Sequence, residues 1–286
     1  PDGYMSLSST VKTLAVIHDI NFEHRPKDLP RLSSWYYRKY FPQFARKAKR
    51  IATVSEFSKQ DIAKTYSIDP SKIDVVYNGA NENYSPVSEE IQRKTKYRFS
   101  NGRPYFLFVG SLNPRKNTKN LLLAYDAFKK AFPSDIKLLI VGQVMWNDND
   151  FSDVYHQMKY KADVLFLGRV SSSDLKNIIA SALALTYIPF FEGFGIPLLE
   201  AMYCEVPIIT SNVTSIPEVA GDAAIQVNPN SIDEIKIAMH EVATNKFLRE
   251  ELIQKGRIKR QEFSWDKTAE KLWSSFEKMV NESNLK

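Results

Sequence analysis

Short apolar runs recur along this chain, and each is followed by a longer amphipathic stretch. A parallel strand reaches its neighbour only through a crossover of a dozen or more residues, usually a helix, so this alternation points to parallel sheets. Strands are predicted at residues 13–17, 50–54, 73–77, 105–110, 136–141, 163–168, 183–188, 206–210 and 224–227. Helices are predicted at 33–48, at 55–66 with Ser55 as cap, at 117–132, up to 181 from a cap at Ser172 or Ser173, from near Pro197, at 231–262 and from near Ser264. The fold class is α/β, with the strands in two series. Residues 81–102 are polar, carry Pro86 and several charges, and read as a linker with one helical turn.

Composition narrows the function classes. With 43% hydrophobic residues among 286, each unit can have a core of its own. The 39 basic residues exceed the 33 acidic ones by six, which suits an anionic ligand or an anionic surface without choosing between them. No nucleic-acid-binding motif accompanies the excess, so no nucleic-acid partner is expected. The single cysteine, Cys204, excludes an internal disulfide and a thiolate zinc cluster, and its apolar helical setting reads as core. No apolar run approaches the ~20 residues that span a bilayer, and no signal peptide is visible, so a cytoplasmic protein is expected.

In open α/β sheets ligands lie beyond the carboxyl ends of the strands. Four such ends carry informative residues. After residues 105–110 comes Ser111-Leu112-Asn113-Pro114-Arg115-Lys116-Asn117. Its adjacent cations beside a helix start suit a phosphate, and a solvated basic loop is the equal alternative. The end at Gly168-Arg169-Val170 is weaker, because a glycine there serves structure as readily as a ring's approach. The most informative is Glu192-Gly193-Phe194-Gly195-Ile196-Pro197-Leu198-Leu199-Glu200. Its glycines precede a helix start whose free N–H groups make an anion site. Glu200, one turn in and beside apolar neighbours, needs partners, and vicinal sugar hydroxyls suit a carboxylate. Two surface glutamates flanking a turn are the alternative. Finally, His18-Asp19 closes the first strand, where His18 either faces a cleft or packs in a hydrogen bond with Asp19.

The two glutamates with seven residues between them, in this context, resemble the retaining GT-B glycosyltransferases of family four, especially bacterial mannosyltransferase-like members that build lipopolysaccharide and capsule. The segments Val54-Ser55-Glu56-Phe57-Ser58, Val76-Tyr77-Asn78-Gly79, Gly110 through Asn117 and Ser215-Ile216-Pro217-Glu218-Val219-Ala220-Gly221 are similar to further parts of that family. The resemblance implies that Glu192 contacts the donor sugar and Glu200 the ribose. Arg115, Lys116 and the backbone of Phe194, Gly195, Ile196 and Pro197 would hold the diphosphate, with Gly193 in the same loop. Gly168, Arg169 and Val170 would line the base pocket, and His18 would reach the transferred sugar from the other unit. It implies a nucleoside-diphosphate hexose donor, guanosine-linked mannose being favoured, a glycan or lipid-linked acceptor, retention of configuration, and neither cofactor nor metal. Ser111 stands where many members carry arginine, which shifts weight onto Arg115.

The resemblance implies a GT-B layout of two Rossmann-like, doubly wound domains facing a cleft: residues 1–100 as the carboxyl part of the acceptor-side domain plus linker, 101–262 as the donor domain, and 263–286 as a helix crossing back. Members have further strands before the position of Pro1, so the first domain is expected to be incomplete. The strand at 13–17 is then expected to have neighbours on both sides, and the chain alone to transfer sugar poorly. A non-catalytic nucleotide-sugar-binding fragment and a GT-B sugar-nucleotide epimerase are the other readings. Residues 35–50 mix aromatic side chains with six cations. Two readings stand for them: a helix resting on anionic lipid, or a solvated face with its aromatics buried.

Overall fold

The computed structural model of the protein describes residues 4–81, 83–143 and 149–281. Among them are two sheets, parallel throughout. The first has the order β1 (Leu14–Val16), β2 (Arg50–Thr53), β3 (Ile73–Val75). The second contains β4 (Tyr105–Val109), β5 (Lys137–Val141), β6 (Val164–Gly168), β7 (Ala184–Tyr187), β8 (Ile208–Ser211) and β9 (Ile225–Val227), in the order β6-β5-β4-β7-β8-β9. The chain therefore lays strands outward from β4 in one direction, then returns to β4's other side and proceeds in the opposite one. The crevice between the carboxyl ends of β4 and β7 is the topological switch point, where such sheets bind ligands.

Near-continuous apolar composition makes β4 a central strand covered on both faces. Tyr105, Phe106, Leu107 and Phe108 are fully buried, and the Tyr105 hydroxyl is satisfied by the Ile178 carbonyl at 2.6 Å. The first sheet is covered by α1 (Asn21–His24), α2 (Arg31–Lys47) and α3 (Glu56–Tyr66). Phe41, Phe44 and Ala45 of α2 join Ile51, Ile62 and Ile73 in its core. Among the described residues β1 pairs on one flank only, with β2, so it lies at an edge of this sheet.

Residues 81–102 hold more than one helical turn. They form α4 (Glu89–Ser100), which starts where Ser88 accepts from the Ile91 N–H and stops at Asn101 in the left-handed region, φ 54°. Arg98 ties it to Asp174 at 2.7 Å. Asp174 lies on α7 (Ser172–Ala180), whose cap is Ser171 rather than Ser172 or Ser173. Around the second sheet lie also α5 (Thr118–Ala131), α6 (Asn149–Gln157), α8 (Ile196–Tyr203) and α9 (Ile216–Ala220). Residues 231–262 divide into α10 (Ile232–Thr244) and α11 (Lys246–Lys259), because Asn245 leaves the helical region and caps the second. The last helix, α12 (Trp265–Asn281), returns to the first sheet: Thr268 Oγ1 donates to the Tyr77 carbonyl at 2.6 Å, and Lys278 pairs with Asp74 at 3.0 Å. Cys204 is buried beside α8, and burial pushes its thiol up to about 12.

Candidate active site

Both loops at the switch point are shaped by local chemistry. After β4, the Asn113 side chain accepts from the Lys116 N–H, and Pro114, Arg115 and Lys116 form one turn of 3₁₀ helix. That turn swings two cations over the carboxyl edge of the sheet. The next residue, Asn117, is buried and donates to the carbonyls of Ile188 at 3.0 Å and Pro229 at 2.8 Å, fixing this loop against the one that follows β7.

The loop after β7 presents Glu192, which is only 7% exposed. One carboxylate oxygen meets Arg115 at 2.8 Å, the Tyr187 hydroxyl at 2.9 Å and the Lys116 ammonium. Lys116 also donates to the Tyr187 hydroxyl and lies over that ring. Burial pushes the Glu192 carboxyl up, but the charges of Lys116 and Arg115 outweigh it and hold the group below the usual glutamate range. Burial pulls the Lys116 ammonium down, and Glu192 restores it only in part. Burial, then Glu192, raises the Tyr187 phenol well above its ordinary value. Two cations thus face Glu192 in a poorly solvated place, and the Asp19 carboxylate in the same wall acts on both of them. The even choice left open for this segment falls against a solvated basic loop.

The cluster abuts the amino terminus of α8. Gly195 caps the helix at φ 108°, a conformation other residues adopt only under strain, and a Cβ there would come 3.0 Å from Ile216. First-turn N–H groups of a helix have no i−4 partner. Here Pro197, at the second helical position, has no N–H, and that of Leu198 donates to the Gly195 carbonyl at 3.0 Å, so the other residues of the turn carry its remaining donors. Together these parts enclose a cleft of about 230 Å³ between the two sheets, with His18, Asp19, Lys116, Glu192 and the residues from Gly193 to Pro197 in its wall. His18 is exposed in it. The Asp19 carboxylate is occupied by the backbone and side-chain N–H groups of Asn21, at 2.9 and 2.6 Å, so the packed His18–Asp19 pair is not what forms.

Other predicted residues lie outside that wall. Arg115 stands behind Glu192 and donates to the Phe191 carbonyl at 3.0 Å. Ser111 is half-buried and accepts from Asn113 at 3.2 Å. Gly168 ends β6, with exposed Arg169 and half-buried Val170 after it, two strands from β4. Glu200 lies half-buried one turn along α8, where burial raises its carboxyl and a hydrogen bond from Tyr84 lowers it by less. Tyr84 and Tyr187 were missed from sequence: Tyr84 lies in a polar stretch and Tyr187 in an apolar one, and nothing local marks the carboxylate partner of either. Thr214 was missed too, and Ser215 stood only in a family-like segment without a role. Thr214 accepts from the Glu192 N–H at 3.2 Å, and Ser215 donates to its carbonyl at 2.8 Å. Among the described residues no acidic, histidine or cysteine cluster has metal-binding form, and no helix is long and apolar enough to cross a membrane.

Residues 89–259 match the family described as "Glycosyl transferases group 1", and residues 3–84 match the one described as "Glycosyltransferase Family 4". O-antigen chain mannosyltransferase B of Escherichia coli is 32% identical over 89% of this chain and 67% of its own length. O-antigen chain mannosyltransferase RfbU of Salmonella typhimurium is 34% identical over 75% of this chain and 56% of its own length. The chain thus spans between about half and two thirds of these relatives. Its fold is that of Anabaena Alr3699/HepE solved with UDP and glucose, a GT-B glycosyltransferase: TM-score 0.79, 17% identity, 93% of this chain and 71% of that one.

Proposed function

Since this chain belongs to the group 1 glycosyl transferases, we propose that it moves a hexose, mannose in the first instance, from a nucleoside diphosphate to a glycan or lipid-linked acceptor of cell-surface polysaccharide, with retention. The observation behind this reading is the Arg115–Lys116–Glu192 cluster at the amino terminus of α8, open to a cleft between the two sheets. A diphosphate is an anion that paired cations beside a helix terminus recognise. On its arrival Lys116 and Arg115 would turn to the phosphates, freeing Glu192 for the sugar hydroxyls, while Glu200 holds the ribose. As the bond from the sugar to the diphosphate breaks, negative charge grows on the leaving oxygen, and fixed cations in a dry site stabilise it. His18 would face the transferred sugar from the first sheet. Because side chains supply this charge, transfer is expected to survive a chelator.

A calorimetric panel of nucleoside-diphosphate sugars, with guanosine-linked mannose included, tests the reading. Binding of at least one member through both its base and its diphosphate is expected; indifference to all of them would remove the donor site. For the partner side, α2 is split. Phe41 and Phe44 point inward, whereas Leu32 and Trp35 are exposed beside Lys39, at 4.7 Å from the Trp35 ring, and Arg31. Lys27, Arg31, Trp35, Arg38 and Lys39 share one groove. This favours peripheral contact with anionic lipid on the cytoplasmic face, where a lipid-linked acceptor would be met.

A further inference from the structure

Three segments singled out in the sequence contain Ser55, Tyr77 and Glu218, none of which lines the cleft, and the fold brings these three side chains together. Glu218 lies on α9, beside the second sheet, and its carboxylate reaches the first. Oε1 accepts from the Glu56 N–H at 2.8 Å and from the Tyr77 hydroxyl at 2.6 Å, and Oε2 from the Phe57 N–H at 3.2 Å. Those N–H groups open α3, have no partner within it, and form a terminus that favours negative charge. Alongside, Ser55 donates to the Gly193 carbonyl at 2.7 Å. Gly193 is pressed so closely on the first sheet that a Cβ would come 2.8 Å from the His18 carbonyl. Ser215, which precedes α9, donates to the Glu192 carbonyl at 2.8 Å. The Glu192–Gly193 loop is thus gripped from both sides by the two elements that Glu218 joins.

We propose that Glu218 is a positioning residue: docked on the amino terminus of α3, it clasps the two halves so that Glu192 faces His18 across the cleft. The kinetic consequence rests on the transferase reading above; the clasp itself does not. Glu218 and Tyr77 do not line the cleft, so their loss leaves nucleotide binding in place and slows transfer. Burial, then Glu218, raises the Tyr77 phenol, which keeps it a donor throughout the working range.

The test uses the whole chain with Glu218→Ala, Glu218→Gln and Tyr77→Phe. In Glu218→Ala the amides of Glu56 and Phe57 are expected to exchange about tenfold faster. The turnover number for transfer, or for donor hydrolysis without acceptor, is expected to fall about tenfold, with donor KM and nucleoside-diphosphate Kd within about twofold. Glu218→Gln and Tyr77→Phe, each of which keeps part of the bonding, are expected to fall between, and they decide the matter if the alanine chain fails to fold. Unchanged exchange overturns the clasp. Faster exchange with unchanged turnover overturns the positioning role, as does a matching loss of nucleotide affinity. Should the wild-type chain, which spans only part of its relatives' length, turn over no donor, the transferase reading is decided by the donor-binding panel, and the clasp by exchange together with X-ray scattering, in which the Glu218→Ala chain must be the more extended.

Discussion

Lys116 is held by one carboxylate and one phenol in a site with little water, so its charge answers a ligand more strongly than a surface lysine's does. Lys116→Ala is expected to cost nucleoside-diphosphate affinity far more than affinity for the free nucleoside. Titration calorimetry with both ligands checks this, and equal losses would point to misfolding. Glu200 gives a second prediction. If its carboxylate accepts two ribose hydroxyls, Glu200→Gln weakens nucleotide binding by about 1–3 kcal/mol. The pH dependence follows from burial, which raises the Glu200 carboxyl above the ordinary glutamate value. The ionised form is the acceptor, so affinity should fall as pH drops through that raised value, starting less acid than a solvent-exposed glutamate would require. The Gln variant should lack this phase. Glu192 titrates in the other direction: its carboxyl is lowered, so the stability it contributes is present above the unfolded-state value and is lost as pH falls through the lowered one.

At the scale of elements, α8 owes its starting geometry to Gly195. Gly195→Ala is expected to cost about 1–2 kcal/mol from the left-handed backbone, before any crowding against Ile216. Thermal unfolding should register that loss, and diphosphate affinity should fall with it, because the first-turn N–H groups move. A lower Tm with unchanged affinity would detach the helix terminus from the ligand. For α2, the exposed Trp35 with Arg31 and Lys39 predicts co-sedimentation with vesicles containing anionic lipid. Each cation near the surface contributes about 1 kcal/mol, so exchanging Arg31 and Lys39 for glutamate should release the chain. Sedimentation indifferent to anionic lipid or to salt would leave α2 as a solvated face.

Over the whole molecule, both sheets present the carboxyl ends of their strands to one cleft, and the chain crosses between them through α4 and again into α12. This geometry makes the site a property of both halves. Phe191 of the second half stacks on His24 and packs edge-on to Phe57 of the first, and Arg25 lies 4.8 Å from the Phe190 ring. Catalytic distances across the cleft therefore depend on how firmly the halves close, which is where Glu218 acts.

The sequence determined the parallel layout, because strands buried on both faces must be nearly all apolar and their crossovers must be amphipathic. It marked the Ser55 cap and the glycine–proline start of α8, since those signals lie within a few residues of the feature they make. It did not mark α4, whose buried positions include Thr95 and Ser100 while Ile91 and Tyr97 face solvent, so the helix lacks an apolar stripe. Only tertiary structure decided that Arg115 and Lys116 turn inward to Glu192, that Tyr187 joins them, that His18 stands open and that Glu218 reaches α3. Each depends on which strand ends become neighbours and where their side chains then point. Residues 76 positions apart, such as Lys116 and Glu192, carry no local trace of their pairing until β4 and β7 lie side by side.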